Sequence, residues 1–496
     1  VDIHGVGFTE WLRGGRVAMD NEPMGDPLDD VDDVYAALRQ VVDAAGPFLD
    51  SLGDRLVYDV ASEPMLDELR GPLPEQGIGT AQAVERLLRV GTATATGSAG
   101  PRFFHFVIGG STPASLAADW TVSLLDQMAG MRASSMLAHS VETTTIDWLR
   151  ELFGLPSGWG GALTASATFA NFTALGCATH WWGAKHGVDV AVDGITGLPR
   201  LPVLASGLVH PSSRKALQML GHGNAVPVFR RGSAGTADVA AMRARLAELA
   251  APAVLIATAG EPNAAAFDPI DEMADLAAEF GAWLHIDGAF GLFAALSPTT
   301  QHLVSGVDRA DSIAADAHKW LNVPYESGFV LLKDPSRLGR AYGMPGAPYL
   351  PGPDDPGSGY MLLGPESSRR ARALPIWATL AAYGRDGYRA MVERHCALAQ
   401  YLVRLVDESP DLERLADVPL NVVCFRYRPS DLPADRLDAV NRAIGDALLA
   451  DGRVFAGTTV YDGHVALRPA ISNWRTTEAD LDLLVAVVRD LGSHTL

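Results

Sequence analysis

Lysine is scarce in this chain. Lys and Arg together number 39 in 496 residues, yet only Lys185, Lys215, Lys319 and Lys333 are lysines. Chemistry that needs a primary amine therefore has four candidates. Cysteine is scarcer: Cys177, Cys396 and Cys424 form an odd set, far apart and without CxxC spacing. This argues against a disulfide framework or a zinc site and fits reduced thiols. His139, His180, His186, His285 and His302 share no metal-binding spacing, and HExxH, GxSxG and a complete GxGxxG are missing. No metal is expected. No apolar run is long enough to cross a bilayer, and no basic region followed by an apolar stretch opens the sequence as in a secretory signal. Positive charge is in deficit, with 59 acidic residues and a formal charge of −20. Such a surface repels nucleic-acid phosphates and anionic lipids. A cytoplasmic protein without nucleic-acid or membrane partners is the expectation.

Apolar residues, by contrast, make up 48% of the chain against 20% charged, ample for a core. The length exceeds the roughly 250–300 residues at which one core stops growing, so a large domain and at least one smaller domain are expected. Residues 30–45 (DVDDVYAALRQVVDAA) carry apolar positions at helical spacing. GSAGPR at 97–102 is turn-rich and marks a boundary. From about residue 160, strand-like runs at 203–206, 226–229, 254–258, 283–286 and 312–315 alternate with helical patterns at 212–220, 237–249 and 269–280. This alternation predicts a wound, mostly parallel α/β sheet. Ligands of such sheets bind beyond the carboxyl ends of the strands. Residues 343–365 are dense in Gly and Pro, too long for an ordinary connection, and read as a functional lid or a disordered segment. Helical texture returns at 367–383, and helices at 391–406 and 434–449 with strands at 421–426 and 464–468 suggest a C-terminal α+β domain. The expected division is an N-terminal helical segment 1–96, a large α/β domain 97–370 with a lid loop at 343–366, and a small α+β domain 371–496.

Four places could carry chemistry. Lys319, in ADSIAADAHKWLNVPYESG, follows a strand-like run and stands between His318 and Trp320. A lysine partly buried among aromatic rings can act as an imine-forming nucleophile, although most lysines at strand ends are surface groups. Asp287, in WLHIDGAFG, ends an apolar strand and precedes small residues that would let a flat ring lie close to the backbone. A carboxylate there suits the ring nitrogen of pyridoxal phosphate (PLP), or is simply a turn residue or helix cap. In ALTASATFANFTALG a strand ends near Thr164 and a helix begins near Thr168. Amides at a helix N-terminus bind phosphate, and the small Ala165, Ser166 and Ala167 leave room for one. His210, in SGLVHPSSRKALQMLG, directly follows a strand, where its ring could stack on a flat cofactor. Lys215 is the rival amine but lies well inside the next helix.

Together these motifs resemble the group II PLP-dependent amino-acid decarboxylases, the family of aromatic-L-amino-acid decarboxylase, from about residue 101 to the C-terminus. DAHKWLNVPYESG is similar to the family's lysine signature and HIDGAFG to its aspartate signature. The resemblance implies PLP-dependent transferase fold type I: a mostly parallel, seven-stranded-type sheet in a large domain, a small C-terminal α+β domain and a helical N-terminal segment. It also implies a homodimer with shared active sites. Carried over, Lys319 holds PLP as a Schiff base, Asp287 pairs with the ring nitrogen, His210 stacks on one ring face and Ala289 packs on the other. Ala167 and Thr168, with Ser166, bind the phosphate, and His318 assists phosphate binding or proton transfer. Asp316 stands where the aromatic enzyme has Asn, so a carboxylate lies near the phosphate position. SSRRARALPIWATLAAYGR at 367–385 matches the segment after the family's mobile loop. Tyr349 is the matching proton donor of that loop, with Tyr342 and Tyr360 as rivals. Phe290 and Glu261-Pro262 depart from the family pattern, which bears on substrate identity.

The reaction so implied is decarboxylation of an L-amino acid to its amine, with Lys319, His210 and Tyr349 as the catalytic set. PRFFHFVIGG at 101–110 resembles the segment lining the substrate pocket. Phe104, Phe106 and Val107 suggest an aromatic or other hydrophobic side chain, while His105 could meet a polar one; core packing is the alternative for all of them. Other readings are an oxygen-using aldehyde synthase, a transaminase, a C–C or C–S lyase, and a non-enzymatic binding protein on the same fold.

Overall fold

Buried apolar runs form a six-stranded central sheet. In the computed structural model, which describes residues 27–232, 234–344 and 358–495, its strands are β1 (Gly160–Thr164), β2 (Val203–Ala205), β3 (Val254–Thr258), β4 (Trp283–Asp287), β5 (Ser312–Asp316) and β6 (Gly328–Leu332). Their spatial order is β1-β6-β5-β4-β3-β2. β2, β3, β4 and β5 pair in parallel, and β6 runs antiparallel between β5 and β1. Every residue of β3 to β6 is buried, as in a sheet covered on both faces. Alternate residues point to opposite faces. Leu255, Ala257, Leu284, Ile286, Ile313 and Phe329 enter one core cluster, while Val254, Ile256, Trp283, Ala314 and Val330 enter another with Ala170, Ala174 and Ala178 of the helix Ala167–Lys185. That helix therefore covers the face to which Trp283, His285 and Asp287 belong.

The expected strand at 226–229 is reduced to one parallel bridge, Val228 to Ala205. Pro227 has no N–H to donate, so only its carbonyl, with the amide of Phe229, continues the ladder beside Ala205. The sheet thus ends in a bridge where a seventh strand was expected. β6, an unbroken apolar run, was not expected as a strand.

By contacts the chain falls into two units. The first, within residues 27–51 and 59–95, holds the helices Val34–Ser51 and Thr80–Thr94. The hydroxyl and amide of Thr80 both donate to Asp30 Oδ2, at 2.8 and 3.0 Å. The second unit holds everything else described, including a four-stranded antiparallel sheet of Leu412–Arg414, Phe425–Tyr427, Thr458–Tyr461 and His464–Leu467. The helices Leu437–Asp451 and Glu478–Thr495 pack on it through Ile444, Leu448, Leu484 and Val488. The strand expected over 421–426 starts only at Phe425: Val422 still bridges Ala470 and Val423 donates to the Pro469 carbonyl in the same register, but Pro469 has no N–H to return, which interrupts the ladder. The helix Ala373–Glu408 breaks at Gly384 (φ 60°, ψ −173°), a backbone region open essentially to glycine alone. Among the described residues no helix is long and apolar enough to cross a membrane, and no cluster of side chains could hold a metal ion.

Candidate active site

The carboxyl ends of β3, β4 and β5 lie side by side, with Thr258 level with Asp287 and Asp287 level with Ala314. Asp287, the last residue of β4, is buried. Its Oδ2 accepts Asn171 Nδ2–H and Ser213 Oγ–H, both at 3.0 Å. Its Oδ1 accepts the Ala289 amide at 3.3 Å. Asn171 comes from the helix Ala167–Lys185 and Ser213 from the helix Pro211–Met219. Ala289 in turn accepts the amide of Asp316 at 3.0 Å, tying the loop after β4 to the end of β5.

Lys319 stands three residues beyond β5, with its Nζ 3.3 Å from Asp316 Oδ2 and 5.9 Å from the centre of the Phe290 ring. The turn that carries it is held from both sides. Trp320 is wholly buried and donates from Nε1 to His395 Nδ1 at 2.7 Å. Asn322, at φ 56°, donates to the carbonyls of Trp320 and Ser472 and accepts the amide of Trp474. The segment expected to line the substrate pocket packs on this turn. Gly109 donates to the His318 carbonyl at 3.4 Å, and a side chain at 109 would run into the carbonyl of Lys319.

Asp316 sits among the groups expected at the phosphate. Its Oδ1 accepts the Ala167 amide at 2.5 Å and lies 3.4 Å from His318 Nε2. His318 Nδ1 accepts the Ser327 amide, so the ring proton belongs on Nε2, facing Asp316. Burial lowers the His318 pKa, against the pull of Asp316. Ser166 caps the helix Ala167–Lys185 by accepting the Phe169 amide. Two of the amides at that helix end are thus already taken, whereas Thr168 is half-buried.

His210 precedes the helix Pro211–Met219 and caps it: Nδ1 accepts the Ser212 amide at 3.2 Å and meets Ser212 Oγ at 2.7 Å. The residue keeps an exposed face. Surrounding protein lowers its pKa by desolvation, the Asp287 carboxylate opposes this, and the charges of Lys319, Asp316 and Arg468 also reach it. Lys319, Asp287, Asp316 and His210 are therefore one neighbourhood. His210 also borders a cleft of about 250 Å³ with Arg230, Glu261, Asn263 and Tyr461. Glu261 accepts the amides of Asn263 and Ala264 and closes the turn after β3, which gives the Glu261-Pro262 departure a local reason.

Other expected residues are placed as follows. Phe104 and Val107 are enclosed in core clusters, and a side chain packed on all sides offers no face to a substrate. Phe106 is 59% exposed. The His105 ring lies 3.7 Å from Phe106 and 5.2 Å from Phe455, centre to centre, and burial pushes its pKa to about 4. Tyr349 lies outside the described residues. Tyr342 is anchored by hydrogen bonds to the carbonyls of Phe172 and Thr173, and Tyr360 by Thr143. Both phenols are buried with raised pKa, which suits packing better than proton delivery. Four residues were missed. Asn171 and Ser213 hold Asp287, Arg468 brings a half-buried charge close to His210 and His105, and Tyr325 lies with its ring 4.2 Å from that of His318. Only Asn171 left a sequence signal, as an amide within an otherwise small and apolar helical run.

The family model described as the pyridoxal-dependent decarboxylase conserved domain matches residues 79–428. An aromatic-L-amino-acid decarboxylase of Bacillus atrophaeus is 27% identical, over 92% of this chain and 94% of its own length. An L-2,4-diaminobutyrate decarboxylase of Rhizobium meliloti is 31% identical, over 87% and 86%. An acidic amino acid decarboxylase of Mus musculus is 30% identical, over 79% and 74%. Among solved structures, Oryza sativa TDC with PLP and tryptamine superposes with a TM-score of 0.86 at 24% identity, over 96% of this chain and 99% of that one. Mouse CSAD in its apo form gives 0.85 at 26%, over 94% and 99%.

Proposed function

Because the chain belongs to the pyridoxal-dependent decarboxylase family, and is thereby a PLP-dependent amino-acid decarboxylase, we propose that it converts an L-amino acid with an aromatic or other hydrophobic side chain to the corresponding amine. The observation that carries the substrate reading is the segment around Phe106. It packs through Gly109 on the turn that bears Lys319, and Phe106 is its exposed aromatic side chain.

The residues present fit PLP. An amine, a buried carboxylate and a helix N-terminus meet at the strand ends. Oδ1 of Asp287 carries, among the described residues, one long hydrogen bond and keeps acceptor capacity for a ring nitrogen. Lys319 would hold the cofactor covalently, Asp287 would pair with its ring nitrogen, and His210 and Ala289 would lie against its faces. Thr168 and Ser166 would take the phosphate with His318. Ala167 joins them where Asp316 releases its amide. Asp316, an anion beside an anion site, acts in this reading as partner to Lys319 and His318. PLP supplies the electron sink that receives the bonding electrons as CO2 leaves. Within the chain, the neutral His210 ring orients flat groups without adding charge. Tyr349 delivers a proton to Cα. The enzyme works as a homodimer.

A mass-spectrometric product assay tests this. The PLP-loaded enzyme is incubated with each common L-amino acid beside Lys319→Ala. An amine one CO2 lighter than an aromatic or branched substrate, absent in the variant, is expected. In air, Tyr349→Phe diverts product from amine toward aldehyde, with dioxygen as the two-electron oxidant and ammonia and hydrogen peroxide released alongside CO2, whereas Tyr325→Phe does not. A polar substrate is the second reading, favoured by the Arg230, Glu261, Asn263 and Tyr461 border of the cleft beside His210. Amine formed only from polar amino acids would replace the first reading with the second.

A further inference from the structure

A chain of hydrogen bonds runs behind Asp287, on the sheet face covered by the helix Ala167–Lys185. Trp283 Nε1–H donates to Ser312 Oγ at 3.0 Å. Ser312 Oγ meets His285 Nδ1 at 2.9 Å, and His285 Nε2 meets Asn171 Oδ1 at 2.8 Å. Asn171 Nδ2–H donates to Asp287 Oδ2 at 3.0 Å. Trp283, Ser312, His285 and Asn171 are all buried.

The direction of this chain is fixed from both ends. An indole N–H can only donate, and an ionised carboxylate can only accept. Asn171 must therefore turn its amide nitrogen to Asp287 and its oxygen to His285. That oxygen requires the ring proton on His285 Nε2, which leaves Nδ1 to accept the Ser312 hydroxyl proton. A neutral imidazole satisfies every member, and burial lowers the His285 pKa to about 4. No cation then stands behind Asp287 to compete for its charge.

We infer that Asn171 and His285 are positioning residues for the Asp287 carboxylate: they fix its orientation and keep the proton it shares with the PLP ring nitrogen on the nitrogen side. This rests on the proposed pairing of Asp287 with that nitrogen. Hydrogen bonds to the ionised form of a carboxylate favour that form. Removing the donor moves the shared proton from nitrogen toward oxygen and weakens the electron sink. Asn171 and Ser213 both use Oδ2, so Oδ1, which carries only the long bond from the Ala289 amide among the described residues, is the oxygen with capacity left for the ring nitrogen.

The test uses holoenzyme reconstituted with PLP isotope-labelled at the ring nitrogen. Nuclear magnetic resonance reads the protonation of that atom, and equilibrium dialysis reads PLP affinity. Asn171→Leu and His285→Phe remove the chain at two points, while His285→Gln can still donate to Asn171. In both disrupting variants the nitrogen resonance moves toward that of the neutral ring, and Asn171→Leu weakens PLP binding by about tenfold or more. His285→Gln stays near the wild type. An unmoved resonance in variants that unfold at the wild-type temperature overturns the inference and leaves packing as the role of these residues. Should Asn171→Leu fail to fold, the contrast between His285→Phe and His285→Gln decides alone. A wild-type ring nitrogen that is already neutral sinks the Asp287 pairing itself, and the inference falls with it.

Discussion

Trp320 follows Lys319 directly, and its orientation depends on a histidine remote in sequence. His395 accepts the indole N–H at Nδ1 and donates from Nε2 to the Asn473 carbonyl at 3.0 Å. Both ring atoms are used, and only the neutral imidazole can accept at Nδ1. Burial accordingly drives the His395 pKa from 6.5 to about 3. As the pH falls, the unfolded chain takes up this proton before the folded chain does. The stability contributed by neutral His395 is complete above about pH 6.5 and is lost progressively toward about pH 3. The slope approaches about 1.4 kcal/mol per pH unit inside that window. His285 adds a loss of the same sign. Thermal unfolding followed by circular dichroism should therefore show a midpoint that drops as the pH is lowered through this range. His395→Gln, which can accept and donate without titrating, should flatten the drop. An unchanged slope in that variant would assign the acid sensitivity to other groups.

At the scale of elements, the sequence exposes what is periodic and hides what is long-range. β3, β4 and β5 were legible because each is a short apolar run, β3 between helical patterns and β4 just after one. β6 escaped although Asn322, Pro324 and Ser327 before it and Asp334-Pro335 after it mark turns, because a short unbroken apolar run has no alternation to tell a strand from a buried helix segment, and 226–229 misled because Pro227 breaks the ladder from within. At the site, WLHID at period 2 already puts Trp283, His285 and Asp287 on one sheet face. Their joining through Asn171 crosses 114 positions from His285, which no local pattern reveals. Phe104 and Val107 looked like pocket residues because apolar residues of core and pocket are alike in composition. One element carries its own test. The break at Gly384 divides the helix Ala373–Glu408, and a side chain there would meet nothing within 4 Å. The cost of Gly384→Ala is thus conformational alone, about 1–3 kcal/mol for a non-glycine residue in this region. Denaturant unfolding should show that loss, with kcat and KM unchanged in the folded enzyme. A variant as stable as the wild type would mean that the helix relaxes through the break.

For the whole molecule the question is what covers its apolar surface. The helices Pro113–Leu125 and Met136–Leu152 leave Leu124 73% and Met136 71% exposed, with Leu125 and Leu137 also open. In the N-terminal unit, Val34–Ser51 buries only Ala37, and Tyr35, Leu38 and Val42 are exposed. Within the second unit, the apolar side chains open on Pro113–Leu125 and Met136–Leu152 offer it an interaction surface. A chain with a net charge of −20 repels copies of itself at long range, so an apolar contact must supply the attraction in the proposed homodimer. Light scattering during size exclusion should give the mass of two chains. Leu124→Glu combined with Met136→Glu places charge on this surface and should yield a single-chain mass. Activity per chain should fall with dimer content if the active sites are shared, because each monomer then lacks groups supplied by its partner. A wild-type protein that runs as one chain at assay concentration and keeps full activity would show that each chain completes its own site. The exposed helices would then need a different partner.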